Sequence, residues 1–217
     1  MKNETLAIYT MVFLLSLGTA MAVVGVKSTA KTPDIKGPRY GSIVRLVREG
    51  HTFCSGVVIS NDTILTAGHC AVIETPFGMF MNPDPIEIRQ SNNKPIGITA
   101  TVKSASSQID RGILKGDFSR LEKSTYISDT TKSIDTRVLG RQYISCGYPL
   151  GGELYCQLTH FVSNLGFFIA VKGKGNLIPG MSGGPTMLED GTVIAINVAV
   201  DNEFNLLSPS YEVDGQK

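Results

Sequence analysis

Two short stretches of this chain hold residue types that could break a bond. Thr66-Ala67-Gly68-His69-Cys70 places an imidazole at the end of an apolar run, and Gly180-Met181-Ser182-Gly183-Gly184-Pro185 sets a serine hydroxyl among glycines. A serine hydroxyl is a poor nucleophile near neutral pH, because its proton must leave as it attacks. It needs a base within hydrogen-bond reach and a third group that holds the base in one tautomer. Glycines on both sides of Ser182 let backbone N–H groups approach a reacting atom and point at a developing oxyanion.

Gly180-Met181-Ser182-Gly183-Gly184 also matches G-x-S-x-G, the nucleophile elbow of α/β-hydrolases. That fold needs its histidine after the serine. All three histidines (His51, His69, His160) precede Ser182, and no alternating helices flank it, so this reading fails on chain order. A lone histidine is most often a satisfied structural or surface group, and His51 and His160 are read that way. His69 stands apart only through its motif and its pairing with Ser182.

The elements that must position these residues read as β-structure. The chain has 217 residues, enough for one or two domains with a real core. Its 20 basic and 19 acidic residues give a net charge of +1, which leaves no electrostatic footprint for nucleic acid. Short Val/Ile runs lie between turn residues: Ser42–Arg48, Thr52–Ile59 and Thr63–Ala67, with Glu49-Gly50 and Asn61-Asp62 as turn signals. Ile96, Ile98, Ala100 and Val102 alternate with Gly97, Thr99, Thr101 and Lys103, the period of a strand with one buried face. Tyr143–Cys146, Leu154–Val162, Phe167–Val171 and Thr192–Val200 supply a second set, after a polar connection from Glu122 to Thr136. Periodicity alone gives an all-β protein, barrel or sandwich. No internal repeat or low-complexity segment is present.

The TAGHC and GMSGGP stretches, in this order and at this separation, resemble the histidine and serine motifs of the chymotrypsin-like (trypsin-fold) serine peptidases. In style they are closest to bacterial and viral HtrA-like members without a PDZ domain, through Ile178-Pro179-Gly180-Met181-Ser182-Gly183-Gly184-Pro185 followed by Gly191-Thr192-Val193-Ile194. The resemblance implies two successive six-stranded β-barrels with the active site in the cleft between them. It implies that Ser182 attacks the scissile carbonyl, that His69 shuttles the proton, and that the N–H groups of Gly180 and Ser182 form an oxyanion hole. It also implies a Cys54–Cys70 disulfide. Met181 stands where digestive relatives carry an aspartate that pairs with a freed Ile-Val-Gly-Gly amine, and that start is missing too, so activation through a buried amino terminus is not expected.

Two aspartates compete to orient His69. In the resembled family this aspartate is followed by any residue, a small one, two apolar ones and often a basic one. Asp110-Arg111-Gly112-Ile113-Leu114-Lys115 meets every term, whereas Asp117-Phe118-Ser119-Arg120 puts a charge at a place that is normally buried. Asp110 is therefore the expected third member, with Asp117 as a solvated surface group. By position, the specificity pocket has Asn176 at its base and Val198, Ala199 and Val200 as a wall. Asn197 and Leu177 stand where glutamate-specific relatives carry a histidine and a hydroxyl residue, so a small or medium apolar P1 residue is expected, held in part by β-addition to the same strand.

The four cysteines, Cys54, Cys70, Cys146 and Cys156, form no C-x-x-C, and no clustered histidines accompany them. No metal site and no cofactor are expected. Cys146 and Cys156 flank a turn-rich stretch, and two readings stay open for them: a bond across a hairpin, or two buried thiols. Thr5 to Val26 carries no charge and is long enough to span a bilayer. Ala20-Met21-Ala22 has the small-x-small form of a signal-peptidase site, while an uncleaved anchor is the competing reading. Lys27, Lys31, Lys36 and Arg39 follow, and the positive-inside tendency would keep the domain in the cytosol, against the disulfide reading. Export or membrane anchoring is the expectation, with possible membrane association through residues 5–26.

The chain then divides into a signal peptide or anchor (1–30), a linker (31–40), a first β-barrel (41–135), a second (136–205) and a tail (206–217). The expected function is a serine endopeptidase acting on a protein or peptide substrate through His69, Asp110 and Ser182. The alternative is a catalytically inactive binding module on the same fold.

Overall fold

A computed structural model describes residues 40–126, 142–149, 152–165, 168–173, 175–200 and 204–209. All of them belong to one compact unit, Thr32–Lys217. The segment 1–30, residues 31–39 and the end of the tail lie outside the described residues, as does most of the connection from Glu122 to Thr136.

After a 3-10 turn at Tyr40–Ser42, eight strands form the first half: β1 (Ile43–Arg48), β2 (His51–Val58), β3 (Thr63–Ala67), β4 (Val72–Thr75), β5 (Gly78–Met81), β6 (Ile86–Arg89), β7 (Pro95–Ser106) and β8 (Arg111–Gly116). Six follow: β9 (Gln142–Gly147), β10 (Tyr155–Leu165), β11 (Phe168–Gly173), β12 (Pro185–Met187), β13 (Val193–Val200) and β14 (Asn205–Pro209). They close into two six-stranded barrels, in the orders β1-β2-β3-β8-β7-β6 and β10-β11-β14-β13-β12-β9, with β4 and β5 as a separate two-stranded ribbon. The all-β reading and the two barrels implied by resemblance are what the structure shows. β14 runs to Pro209, so the second barrel continues past residue 205.

The apolar runs have a simple physical cause: several strands are buried on both faces. Successive strand residues point to opposite sides. Val44, Val58 and Ile64 point into the first barrel with Leu46, Ile88, Ala100 and Leu114. Their neighbours Ile43, Val57 and Leu65 instead pack against Ile144, Tyr148, Met187, Val193 and Ile196 of the second. A third cluster of Tyr143, Ile169, Val171, Ile194, Ala195 and Leu207 completes the second barrel. From Pro95 to Lys103, by contrast, β7 alternates, because only the Ile96, Ile98, Ala100 and Val102 face is covered.

Glu49 and Gly50 join β1 to β2 with φ of 52° and 80°. Two positive values suit the right-handed twist of a tight hairpin. The start of the inter-barrel connection is tied across both halves: Ser124 N donates to Val58 O and Val193 N to Thr125 O. Among the described residues no helix is long and apolar enough to cross a membrane.

Candidate active site

His69 sits in a 3-10 turn, Gly68–Cys70, that ends β3. Asp110 closes the turn between β7 and β8, and because β8 pairs with β3 (Ala67 opposite Arg111), the two turns lie side by side. Asp110 grips His69 twice. Nδ1 of the imidazole donates to Oδ2 at 2.8 Å and the His69 backbone N–H donates to Oδ1 at 2.7 Å. With Nδ1 carrying the hydrogen, Nε2 keeps its lone pair, the tautomer a general base requires. Gly68 is needed here, since a Cβ would lie 2.7 Å from Ser106 O and 2.9 Å from Asp110 Oδ1.

Asp110 adopts φ of 45°, a left-handed conformation that costs a non-glycine residue roughly 1 kcal/mol or more. The two hydrogen bonds to His69 hold it there. Burial pulls the His69 pKa down, but the hydrogen bond and charge of Asp110 outweigh it, and the net shift is upward. The His69 side chain remains 45 % exposed. Asp117 does none of this: it is exposed, and its carboxylate accepts from Ser119 N at 3.1 Å. Arg120 is exposed as well.

Ser182 is presented by a chain of tight turns. Met181 N donates to Ile178 O at 2.9 Å, with Pro179 second and Gly180 third at φ of 94°. That is a type II turn, whose third position requires positive φ. Gly183 follows at φ of 83°, where a Cβ would collide with Thr66 Oγ1 and Ser55 O. Gly184 has no more room, because its Cβ would strike Cys146 O. Met181 is fully buried, with its Cα against Gly147.

Two residues that sequence reasoning gave no role in the site fix this turn in space. Ser55 on β2 donates from N to Ser182 O at 2.8 Å and from Oγ to Gly180 O at 2.7 Å, while its Oγ accepts from Tyr148 N. Thr66 Oγ1 in turn donates to Ser55 O. Asn197, placed by sequence near the specificity pocket, is fully buried, and its Nδ2 donates to Cys146 O at 2.8 Å. Its Oδ1 accepts from Thr186 Oγ1, its backbone O accepts from Gly183 N, and its N donates to Gly184 O. Only the CSG and TAGHC neighbourhoods hinted at Ser55 and Thr66. Asn197 carried no signal, since a polar residue inside an apolar strand does not reveal which carbonyl it faces.

With the carbonyls of Gly180 and Ser182 tied to Ser55, their N–H groups make no backbone hydrogen bond among the described residues. The Ser182 hydroxyl donates to Val198 O at 3.3 Å, and no hydrogen bond joins it to His69. The two residues share a neighbour: Ser182 O is 3.8 Å from Cys70 Sγ, and a His69 ring nitrogen lies within 4.8 Å of the Cys54 and Cys70 sulfurs. Those sulfurs are bonded to each other, so the trio offers no thiolate to a metal. Cys146 and Cys156 are also bonded, directly opposite one another on β9 and β10.

Of the expected pocket residues, Val198 is buried, Ala199 half-buried, and Val200 and Asn176 exposed. Neither 175–188 nor β13 contains a charged residue. A cavity of about 310 Å3 lined by Ile96, Gly97, Ile98, Thr99, Asp117 and Arg120 includes none of these groups.

Solved structures that share this fold include proteases. The chain is similar to the Rv3671c protease from M. tuberculosis in its active form, at 18% identity and a TM-score of 0.56, covering 79% of this chain and 77% of that one. It is similar to the serine endoprotease from Yersinia pestis, at 18% identity and a TM-score of 0.60, over 79% of this chain and 60% of that one. It is also similar to the HtrA-type protease AlgW with a decapeptide, at 22% identity and a TM-score of 0.55, over 73% of this chain and 48% of that one. These identities speak to fold alone, and the chain spans about half the length of AlgW. No curated protein sequence matches it. The trypsin-like peptidase domain family matches residues 54–196, a stretch that begins at the cysteine bonded beside His69 and runs past Ser182 into β13. The chain belongs to the trypsin-like peptidase domain family.

Proposed function

We propose that this protein is a serine endopeptidase in which Ser182 attacks the scissile carbonyl, His69 takes and returns the proton, and Asp110 orients the imidazole. The observation that carries this reading is the pair of hydrogen bonds that His69 donates to the Asp110 carboxylate, which leaves Nε2 as the acceptor. For attack, the Ser182 hydroxyl must leave Val198 O and donate to that acceptor. Collapse of the tetrahedral adduct then expels the leaving amine, protonated by His69, and water repeats the sequence to release the acyl group.

The N–H groups of Gly180 and Ser182, which make no backbone hydrogen bond among the described residues, support an oxyanion hole, each donor being worth about 3 kcal/mol of transition-state stabilisation. An uncharged surround at Asn176, Val198, Ala199 and Val200 supports a small or medium apolar P1 residue. A peptide library in which Arg, Lys or Glu dominates the cleaved position would overturn that preference. That AlgW is solved with a decapeptide supports a peptide ligand for this protein. Two disulfides support an oxidising compartment, reached by export or by anchoring at a membrane.

The hydroxyl of Ser182 resting on Val198 O favours one other reading, a binding module without turnover. A fluorophosphonate probe separates the two. Labelling that disappears in Ser182→Ala supports the peptidase, and folded protein that is never labelled supports the binding module.

A further inference from the structure

Four of the most exposed large apolar side chains among the described residues fall within five consecutive positions. Phe77 is 91 % exposed, Met81 54 %, Phe80 50 % and Met79 46 %. All belong to the β4–β5 ribbon, which pairs Val72 with Met81, Ile73 with Phe80, Glu74 with Met79 and Thr75 with Gly78. Apolar groups concentrated this way mark a surface that meets something other than water.

Three features identify what it meets. Strand alternation puts Met79 and Met81 on one face of the ribbon and Phe80 on the other, yet all three are exposed. A protein groove covers one face of a ribbon, whereas a fluid apolar phase surrounds both. No charged residue occurs from Thr75 to Met81, and the nearest, the exposed Glu74 opposite Met79, marks the depth at which the ribbon meets water or headgroups. The tip also pairs two of its own backbone groups: Thr75 Oγ1 accepts from Phe77 N at 3.2 Å and donates to Gly78 O at 3.0 Å. Each such bond lowers the cost of entering an apolar medium, and the open edges of the two-stranded ribbon keep the insertion shallow.

We propose that the hairpin tip, Thr75–Met81, inserts into the acyl region of a lipid bilayer. A bilayer is the occupant within reach, since the uncharged stretch Thr5–Val26 is long enough to span one, and the chain from Val26 to Tyr40 extends at most about 50 Å. β4 begins two positions after Cys70, so insertion of the tip holds the His69 end of the cleft toward the membrane surface and favours peptide segments close to it.

The protein contains no tryptophan, so Phe77→Trp creates a single reporter in the full chain. In vesicles of phosphatidylcholine and phosphatidylglycerol, its emission shifts to the blue and is quenched by lipids brominated on the acyl chains. Val162→Trp, on the half-exposed outer surface of β10, keeps water-exposed emission and is not quenched. Phe80→Trp repeats the Phe77→Trp result from the other face of the ribbon and serves if the first variant unfolds, as judged by circular dichroism. Water-like, unquenched emission from both ribbon reporters in vesicles overturns the proposal. So does a blue shift that follows protein concentration without lipid, which marks a second copy, or one that appears only on adding a peptide, which marks substrate contact. None of these readouts depends on peptide cleavage.

Discussion

Asp110 holds His69 by two separate groups, the ring Nδ1 at 2.8 Å and the backbone N–H at 2.7 Å, and does so from a left-handed conformation with φ of 45°. The carboxylate therefore fixes both the tautomer of the imidazole and the position of the turn that carries it. Asparagine at 110 keeps the shape but offers an amide where Nδ1–H needs an acceptor. Asp110→Asn is expected to lower kcat by about 10⁴-fold, the scale for this substitution in the template triad. Asp117→Asn, whose carboxylate meets only Ser119, should leave kcat within a factor of about two, since surface changes of this kind have small effects. Steady-state cleavage of one peptide by both variants checks this, and the opposite ranking would exclude Asp110.

The raised pKa of His69 sets a pH dependence. A general base must be unprotonated, so activity rises with pH through a value above the ordinary 6.5 of histidine. The stability linkage runs the other way. The folded state binds that proton more tightly, so the stabilisation from the charged pair is complete below about pH 6.5 and is lost as pH rises through the raised value. A kcat/KM profile with its acid limb above 6.5, moving to lower pH in an NMR titration of His69 in Asp110→Asn, is the expected result. An acid limb below 6.5 in the unaltered protein would contradict it.

Gly183 has no room for a side chain and a φ that disfavours one. Gly183→Ala forces its Cβ toward Thr66 Oγ1 and Ser55 O, which can move only by shifting β2 and β3. A loss of more than about 1 kcal/mol of stability is expected, with loss of probe labelling at Ser182. Thermal unfolding and fluorophosphonate labelling of the same sample measure both.

Ser55 acts on the chemistry only through the turn it holds. Ser55→Ala removes the acceptor for Tyr148 N and the donor to Gly180 O, both buried, at a cost of about 1–3 kcal/mol for each group left unpaired. Released from Ser55, the Gly180 carbonyl no longer pins the turn, and the Gly180 N–H in the preceding peptide unit shifts with the backbone, away from the position proposed for an oxyanion donor. The expected signature is a fall in kcat with KM nearly unchanged, because an oxyanion donor acts in the transition state. A matching rise in KM with kcat intact would place Ser55 in substrate binding instead.

The Cys54–Cys70 bond closes a loop with a sequence separation of 16, directly beneath His69. Replacing both cysteines with alanine should cost about 3 kcal/mol by the loop-entropy argument. A reduced thermal midpoint in the double variant, reproduced in the unaltered protein by reductant, checks this. A midpoint that reductant leaves unchanged would argue against the bond.

Much of the fold could be read from the strand runs, since β1, β2, β3, β7, β9, β10 and β13 are long apolar or alternating segments between turn residues. The strands that periodicity overlooks are the short or irregular ones. β6 spans four residues between prolines and polar turns, β12 spans three, and β5 shows no inward face because all four of its residues are exposed. Residue types and spacing singled out His69 and Ser182, because a serine in a glycine turn and a histidine at a strand end leave local signatures, and the family resemblance favoured Asp110 over Asp117. Tertiary structure decided what depends on distant segments meeting. It brought Asp110 rather than Asp117 to His69, joined Cys146 to Cys156 across a strand pair, and turned the Ser182 hydroxyl to Val198 O. It also gave Ser55 and Asn197 their hold on the Ser182 turn. Sequence records which groups are available locally, whereas a hydrogen bond between residues more than a hundred positions apart, such as Ser55 to Gly180, exists only once both barrels have closed and packed together.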